Sequence, residues 1–249
     1  MAKAIWNSNV KCFITKTLRA ELNLLIQIIE DDSIQWTTPI AHLIKRDPDF
    51  QVWGDSSLDA AGGYSVDFGF YWHLKWPESI TSKSVKFFKR KAKFNGEIVS
   101  INLLEYIVII INYAICSYLF TTRKLNSVYK HQSLLNWSDN KSAIAWTKQA
   151  AISTAGGKAL ARIFCSLSIN NDLQCISDYI NTKHNIIADD ISRLKSANMA
   201  FSFQKLFQDH VELRSCEQFH LNPDFISCLT HAVLLGQSPP LRQLPGCKL

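Results

Sequence analysis

The sequence predicts an α/β fold, with a mixed five-stranded sheet and helices on both faces. Three strand-like segments follow one another between residues 50 and 76, which is the order of an antiparallel block. Two later strand-like segments, 133–140 and 173–181, are each preceded by helical patterns, so they are predicted to add parallel strands through right-handed crossovers. Residues 101–120 are apolar on nearly every side, as expected for a helix covered by a sheet and by other helices.

The composition indicates a folded protein with a modest basic charge. Of the 249 residues, 47% are hydrophobic and 19% are charged, and the formal net charge is +6. This charge is compatible with a nucleic-acid partner. The seven cysteines form no C-x-x-C pair, which argues against a zinc site and for reduced thiols. No secretory signal is visible, so we predict an intracellular location, in the cytoplasm or the nucleus.

Three regions are predicted along the chain. Residues 1–48 form an N-terminal helical segment, in which a helix over 14–31 is indicated by apolar residues at helical spacing, namely Leu18, Leu22, Leu25 and Ile29. Residues 49–196 form the α/β domain. Residues 197–249 are predicted to be a linker or tail, because four prolines interrupt them, namely Pro223, Pro239, Pro240 and Pro245.

The antiparallel block is predicted from alternation and from turn residues. Gly62-Gly63 is interpreted as a turn between two strand-like runs, and Pro77 ends the block. The residues after that turn alternate between apolar and other types, which is typical of a strand with one buried face. The predicted strands are 50–56, 61–69 and 70–76, although the last two are equally compatible with one long bent strand.

The long apolar segment 101–120 carries one carboxylate, Glu105. The segment is either a membrane-spanning helix or a buried helix, and the charge of Glu105 helps to decide between them. Twenty helical residues span about 30 Å, which is enough to cross a bilayer. Polar side chains inside the segment favour a buried helix instead, since a carboxylate within a membrane helix costs about 3 kcal/mol. We therefore predict no membrane partner, and membrane anchoring through 101–120 remains the less favoured alternative.

Four acids stand at the ends of predicted elements: Asp55, Glu105, Asp139 and Asp189. If the strands that carry Asp55 and Asp139 are neighbours, their ends lie about 5 Å apart, and a crossing helix adds Glu105. Three of the four acids also have an ordinary interpretation, whereas Glu105 is the hardest to explain in that way, because a lone buried glutamate is rare. Asp55 suits a turn, Asp139 suits a helix N-cap, and Asp189 or its neighbour suits a helix N-terminus.

Carboxylates this close repel one another, so the predicted cluster needs divalent cations. Carboxylate and water oxygens suit Mg²⁺, and Mn²⁺ is the alternative. Two such ions about 4 Å apart would activate a water molecule and stabilise the leaving oxygen in phosphodiester cleavage.

A basic segment lies between the antiparallel block and the long helix. It is predicted either to contact phosphates or to form a solvated face, and its cations are Lys83, Lys86, Lys89, Arg90, Lys91 and Lys93.

Four stretches resemble the conserved blocks of retroelement ribonuclease H domains. They are "VWGDSSLDAAGGYS", "INLLEYIVIIINYA", "NWSDNKSAIAW" and "NTKHNIIADDISR". The resemblance covers about residues 50–195 and is closest to the domain that follows the reverse transcriptase in gypsy-like and DIRS-like retrotransposons. The last block matches most specifically, at Asn185, Ala188, Asp189, Ile191, Ser192 and Arg193.

The resemblance implies a ribonuclease H-like fold and Mg²⁺-dependent cleavage of the RNA strand in RNA–DNA hybrids. It assigns the catalytic and metal-ligating roles to Asp55, Glu105, Asp139 and Asp189. It further implies substrate contacts by Ser56 and Asn140, although Asn140 equally suits a helix N-cap. It also implies an upstream polymerase domain in a parent polyprotein, since this chain carries no polymerase-type Tyr-x-Asp-Asp block.

The region before the last block departs from the family pattern. Many ribonucleases H carry a histidine in the loop that precedes the last helix, whereas Tyr179 and His184 stand near that place here. Neither is assigned the role of that histidine. The alternative function is therefore a catalytically degenerate remnant that binds nucleic acid without cleaving it.

Overall fold

The structure is a computed structural model that describes residues 15–30, 47–85, 98–125, 132–149, 152–169, 171, 173–194 and 199–238. The chain divides into two compact units, 1–35 and 36–249. In the first unit, helix α1 spans Lys16–Ile29 and is capped by Thr15, whose hydroxyl accepts a hydrogen bond from the Leu18 N–H at 3.1 Å. The helix predicted for residues 14–31 is therefore confirmed.

The second unit is built on a mixed sheet. Among the described residues the sheet has six strands, which are β1 Phe50–Ser56, β2 Ala60–Ser65, β3 Phe70–Lys75, β6 Ser133–Ser138, β7 Gln174–Tyr179 and β8 Glu217–Gln218. A separate pair consists of β4 Ser84–Val85 and β5 Val99–Ser100. The strand order in the sheet is β7-β6-β1-β2-β3-β8.

The strand directions follow the predicted pattern. Strands β1, β2 and β3 are antiparallel neighbours, whereas β6 lies parallel to β1 and β7 lies parallel to β6. The prediction of a mixed α/β sheet is therefore confirmed. The prediction of five strands is wrong by one, because the two-residue strand β8 pairs in parallel with β3 at the sheet edge. So short a strand leaves no periodic signal in a sequence.

The predicted turn at Gly62-Gly63 is wrong, because both glycines lie inside β2. A Cβ at Gly62 would lie 2.3 Å from a methyl carbon of Ile191, and a Cβ at Gly63 would lie 2.5 Å from Asn112 Oδ1. The glycines therefore serve close packing on both faces of the sheet. The reversals of the chain fall between the strands, at 57–59 and 66–69.

Helices cover both faces of the sheet. They are α2 Glu78–Thr81, α3 Ile101–Thr122, α4 Lys141–Gln149, α5 Ala155–Ile169, α6 Ile186–Ser192, α7 Met199–Asp209 and α8 Pro223–Leu235. Helix α3 packs with α4 and α5 on one face, where Trp72 of β3 reaches it. The adjacent Tyr71 points to the other face, where it contacts Phe203 and Phe207 of α7.

Helix α3 is long and apolar enough to cross a membrane, with a mean hydropathy of 1.9 over its most apolar window. However, 94% of that window is buried inside the protein. The segment 101–120 is therefore the central helix of the larger core.

Residues 199–235 differ from the predicted linker or tail. They contribute α7, β8 and α8, and α8 inserts Phe225, Leu229 and Val233 into the larger core. Gly156 of α5 lies so close to α8 that an added Cβ would be 2.6 Å from the Val233 carbonyl oxygen. The described part of 197–249 thus belongs to the packed unit, whereas residues 239–249 lie outside the described residues.

Candidate metal centre

Asp55 and Asp139 lie at the carboxyl ends of two neighbouring strands of the sheet. Asp55 lies near the carboxyl end of β1, and Asp139 directly follows β6. Because β1 and β6 are parallel and pair Trp53 with Trp137, the two acids stand two residues beyond the same rung. The neighbouring strands therefore deliver two carboxylates side by side, as the sequence predicted.

Helix α3 adds Glu105 from its second turn. The helix is anchored to the sheet by buried amides two turns further along, where Asn112 Oδ1 accepts from Trp72 Nε1 at 2.8 Å and Asn112 Nδ2 donates to Asn136 at 3.2 Å. Residues seven apart lie on one helix face, so this anchor fixes the face that carries Glu105.

The three acids form a compact cluster, called here the acidic triad: Asp55, Glu105 and Asp139. One carboxylate oxygen of each lies within 4.8 Å of those of the other two. Asp55 is 6% exposed and Glu105 is 3% exposed, while Asp139 is partly exposed at the rim. The triad thus joins residues that are 84 positions apart in the sequence into one pocket that could hold a metal ion.

The triad is electrostatically costly without a cation. Burial, together with the charges of Asp139 and Asp189, raises the pKa of Asp55 to about 6. Burial and the charges of Asp55 and Asp139 raise the pKa of Glu105 well above its usual range. Both shifts have the physical cause expected when anions share a desolvated site.

The two carboxylate oxygens of Glu105 differ in their contacts. Its Oε1 accepts the Ser56 backbone N–H at 3.0 Å, whereas its Oε2 is buried and has no hydrogen-bond partner among the described residues. A buried carboxylate oxygen without a partner is costly, and a divalent cation would satisfy it. The donor set consists of carboxylate oxygens only, which suits a hard cation such as Mg²⁺.

Two hydroxyl groups hold the carboxylates of the triad. The buried Ser192 donates to Asp55 Oδ2 at 2.7 Å, and Thr182 donates to Asp139 Oδ2 at 2.6 Å. No role was predicted from the sequence for either residue. Ser192 lay within the quoted "ADDISR" block, whereas nothing in the sequence near Thr182 indicates that it faces Asp139.

Asp189 lies beside the triad rather than in it. Its charge raises the pKa of Asp55, so it is within electrostatic reach of the triad. Its Oδ1 is held by Arg193, four residues later on α6, at 2.8 Å from Nε and 2.6 Å from Nη2. The neighbouring Asp190 binds His210 Nε2 at 2.8 Å instead. Of the four predicted ligands, the structure therefore brings three together and leaves the fourth paired with an arginine.

Ser56 and Asn140 make internal contacts. The Ser56 hydroxyl is buried and donates to the Ser57 carbonyl at 3.0 Å. Asn140 Oδ1 accepts the backbone N–H groups of Ser142 and Ala143, so Asn140 caps helix α4. The N-cap alternative for Asn140 is therefore observed, and the predicted nucleic-acid contacts of both residues stay predictions.

The basic segment lies mostly outside the described residues. Lys83 is described and exposed, whereas the other predicted cations fall in the undescribed range 86–97: Lys86, Lys89, Arg90, Lys91 and Lys93. Tyr179 is 40% exposed at the end of β7, with the Lys141 ammonium 4.8 Å from the centre of its ring. His184 is exposed in a 3₁₀ turn, Thr182–His184.

A cleft of about 1000 Å³ opens beside the triad. The residues that line it include Asp55, Ser192, His73, Lys75 and Arg193. The cleft gives a bound molecule access to Asp55.

The fold and the site define a mixed α/β protein with a buried acidic triad that could hold a metal ion. Comparisons with protein-family models, with curated proteins and with solved structures return no match.

Proposed function

We propose that this chain is a ribonuclease H-type endonuclease that cleaves the RNA strand of RNA–DNA hybrids with the help of Mg²⁺. The single observation that carries the proposal is the acidic triad, with the unpartnered Oε2 of Glu105. Further support comes from the strand order β7-β6-β1-β2-β3 with helices on both faces, which is compatible with a ribonuclease H-like arrangement. The four quoted sequence blocks point to the same family.

The residues divide the task between them. Asp55, Glu105 and Asp139 would hold the ions, and Ser192 and Thr182 orient two of these carboxylates by hydrogen bonds. When bound, two Mg²⁺ ions would activate a water molecule for in-line attack and stabilise the leaving oxygen. The cleft beside Asp55 would receive the nucleic acid. Selectivity for RNA would rest on the 2′-hydroxyl and the duplex shape.

The direct test is cleavage of an end-labelled RNA–DNA hybrid in Mg²⁺. We expect the wild type to cut the RNA strand but not a DNA duplex, and Asp139→Asn to lower the rate by roughly 100-fold or more. Asp209→Asn, an exposed acid at the end of α7, is the matched control and keeps the wild-type rate. If Asp139→Asn cleaves as fast as the wild type, the assignment of the centre is wrong.

A catalytically degenerate nucleic-acid-binding remnant is the second candidate. One observation favours it, because Asp189 is bound to Arg193 and stands outside the triad. This candidate predicts binding of the hybrid without cleavage in Mg²⁺ or Mn²⁺. Calorimetry that detects no Mg²⁺ binding by the wild type would favour it over the nuclease.

A further inference from the structure

Asp189 and Arg193 form an ion pair at the rim of the acidic triad. Two nitrogens of the guanidinium group, Nε and Nη2, contact the same oxygen, Oδ1 of Asp189. The Arg193 side chain is 67% exposed and that of Asp189 is 25% exposed. The cation therefore sits on the outer side of the acid and can leave without disturbing the core.

The ion pair adjoins the triad, because the Ser192 hydroxyl lies 2.7 Å from Asp55 Oδ2 and 2.9 Å from the backbone carbonyl oxygen of Asp189. The charge of Asp189 raises the pKa of Asp55 and that of Arg193 lowers it, so both act on the same carboxylate. The triad itself supplies carboxylate oxygens within 4.8 Å of one another, which is sufficient to hold one ion. A second ion beside it would need another anionic ligand, and Asp189 is the acid whose charge reaches Asp55 from outside the triad.

We propose that Arg193 competes with a second divalent cation for Asp189. With Arg193 in place, the centre takes one ion tightly and a second one only weakly. When the guanidinium leaves Asp189, the freed carboxylate joins Asp55 in holding the second ion. Arg193 also lines the cleft beside Asp55, so it can turn into that cleft once it is released. The inference rests on the proposed function only through metal binding at the triad.

The physical scale of the competition is modest. An exposed ion pair contributes about 0.2–1 kcal/mol, so releasing Asp189 should strengthen the second binding event by about 1.4- to fivefold. A general loss of positive charge would also favour cations, so the test must separate the two effects. Lys205, an exposed lysine on α7 that does not line the cleft, provides a matched loss of one charge.

The experiment counts Mn²⁺ bound to the full chain, with free Mn²⁺ measured by electron paramagnetic resonance. We expect one tight and one weak ion for the wild type. Arg193→Ala and Arg193→Gln should both tighten binding of the second ion by about 1.4- to fivefold. Lys205→Ala should leave it unchanged, and adding Asp189→Asn to Arg193→Ala should remove the gain.

The outcomes separate this inference from the proposed function. If the wild type binds no ion, metal binding at the triad fails and the inference fails with it. If the wild type binds one tight ion but Arg193→Ala and Arg193→Gln bind the second as weakly, the competition is refuted and the metal centre stands. A gain that persists in the Asp189→Asn background, or that Lys205→Ala reproduces, also refutes the competition.

Discussion

At the scale of single residues, the carboxylates of the acidic triad that would bind a metal ion also lower the stability of the metal-free fold. Asp55 and Glu105 are buried together, and burial raises the pKa of both, while the charge of Asp55 raises the pKa of Glu105 further. Each is therefore harder to ionise in the folded chain than in the unfolded chain. A fold that keeps such a cluster is destabilised at neutral pH in the absence of a cation and stabilised by one.

Glu105→Gln should separate the two effects. It removes an ionisable group whose pKa is raised by burial and keeps the side-chain shape, so the metal-free variant should be more stable than the wild type at pH 7.5. The same variant should bind Mg²⁺ roughly 100-fold more weakly, because it loses a carboxylate ligand. Urea unfolding in EDTA and calorimetry measure the two quantities. Glu217→Gln, an exposed match, should change neither. A Glu105→Gln variant that binds Mg²⁺ normally would rule out Glu105 as a ligand.

The pH dependence of stability follows from the pKa of Asp55, which is about 6 in the folded chain against 3.8 normally. As pH rises from about 4 to about 6, the unfolded chain loses this proton while the folded chain keeps it. The free energy of unfolding in EDTA should therefore fall across this window, by on the order of 2–3 kcal/mol.

Urea titrations in EDTA at pH 4.5, 5.5 and 6.5 measure this fall in stability. Asp55→Asn should make the free energy of unfolding fall less steeply with pH. In saturating Mg²⁺ without EDTA, the free energy of unfolding of the wild type should rise with pH instead. Stability in EDTA that increases with pH over this range, or an unchanged slope in Asp55→Asn, would contradict the assigned electrostatics.

The sequence predicted the triad better than its surroundings. Strand ends and one buried charge were enough to bring Asp55, Glu105 and Asp139 together, because neighbouring parallel strands end at the same sheet edge. The pairing of Asp189 with Arg193 depends on which rotamers the two side chains adopt on α6. The inward hydroxyl of Ser56 depends on local packing. Neither the Asp189–Arg193 ion pair nor the contact of the Ser56 hydroxyl could be recognised from a periodic sequence pattern.

At the scale of elements, helix α3 is both the core of the larger unit and the support of Glu105. Its buried amide, Asn112, links two strands, because it accepts from Trp72 on β3 and donates to Asn136 on β6. Gly54 and Gly63 leave room for this amide, since a Cβ at either would lie within 2.6 Å of it. The helix is thus held in one register against the sheet.

Asn112→Leu should weaken metal binding from a distance. The change leaves the Trp72 Nε1–H and Asn136 Oδ1 without partners in the core, which costs about 1–3 kcal/mol for each buried group. The shifted helix should also displace Glu105, so Mg²⁺ affinity should fall by about tenfold. Urea unfolding and calorimetry measure both effects.

Ile110→Ala is the control on the same helix. It removes a fully buried side chain and should cost about 2–5 kcal/mol through a cavity, but it leaves the amide links intact. It should therefore lower stability without a comparable loss of Mg²⁺ affinity. Equal losses of affinity in the two variants would mean that Asn112 has only a general structural role.

At the scale of the whole molecule, the C-terminal helix completes the larger core. Leu229 of α8 is fully buried, and Phe225 and Val233 lie beside it in the same core. Leu229→Ala should therefore lower the free energy of unfolding by about 2–5 kcal/mol. Leu235→Ala, at a 59% exposed leucine at the end of the same helix, should have little effect. Equal and small effects in urea unfolding would mean that α8 does not pack as described.

The helix α8 could have been recognised in the sequence from its ends. Asn222 caps it, with its side chain accepting from the Asp224 N–H, and Pro223 occupies the first turn. Gly236 ends it in the left-handed conformation, with φ of 64°. The prolines were interpreted as signs of a linker, although one of them begins a helix. Which surface α8 would cover could not be predicted, because that depends on the packing of α5.

The central claim is that the acidic triad holds a divalent cation. The most direct measurement is anomalous X-ray diffraction from crystals of the full chain soaked in Mn²⁺. We expect a strong anomalous peak between the carboxylates of Asp55, Glu105 and Asp139, within bonding distance of Glu105 Oε2. A well-diffracting Mn²⁺-soaked crystal with no peak at the triad, or with peaks only at surface carboxylates, would contradict it.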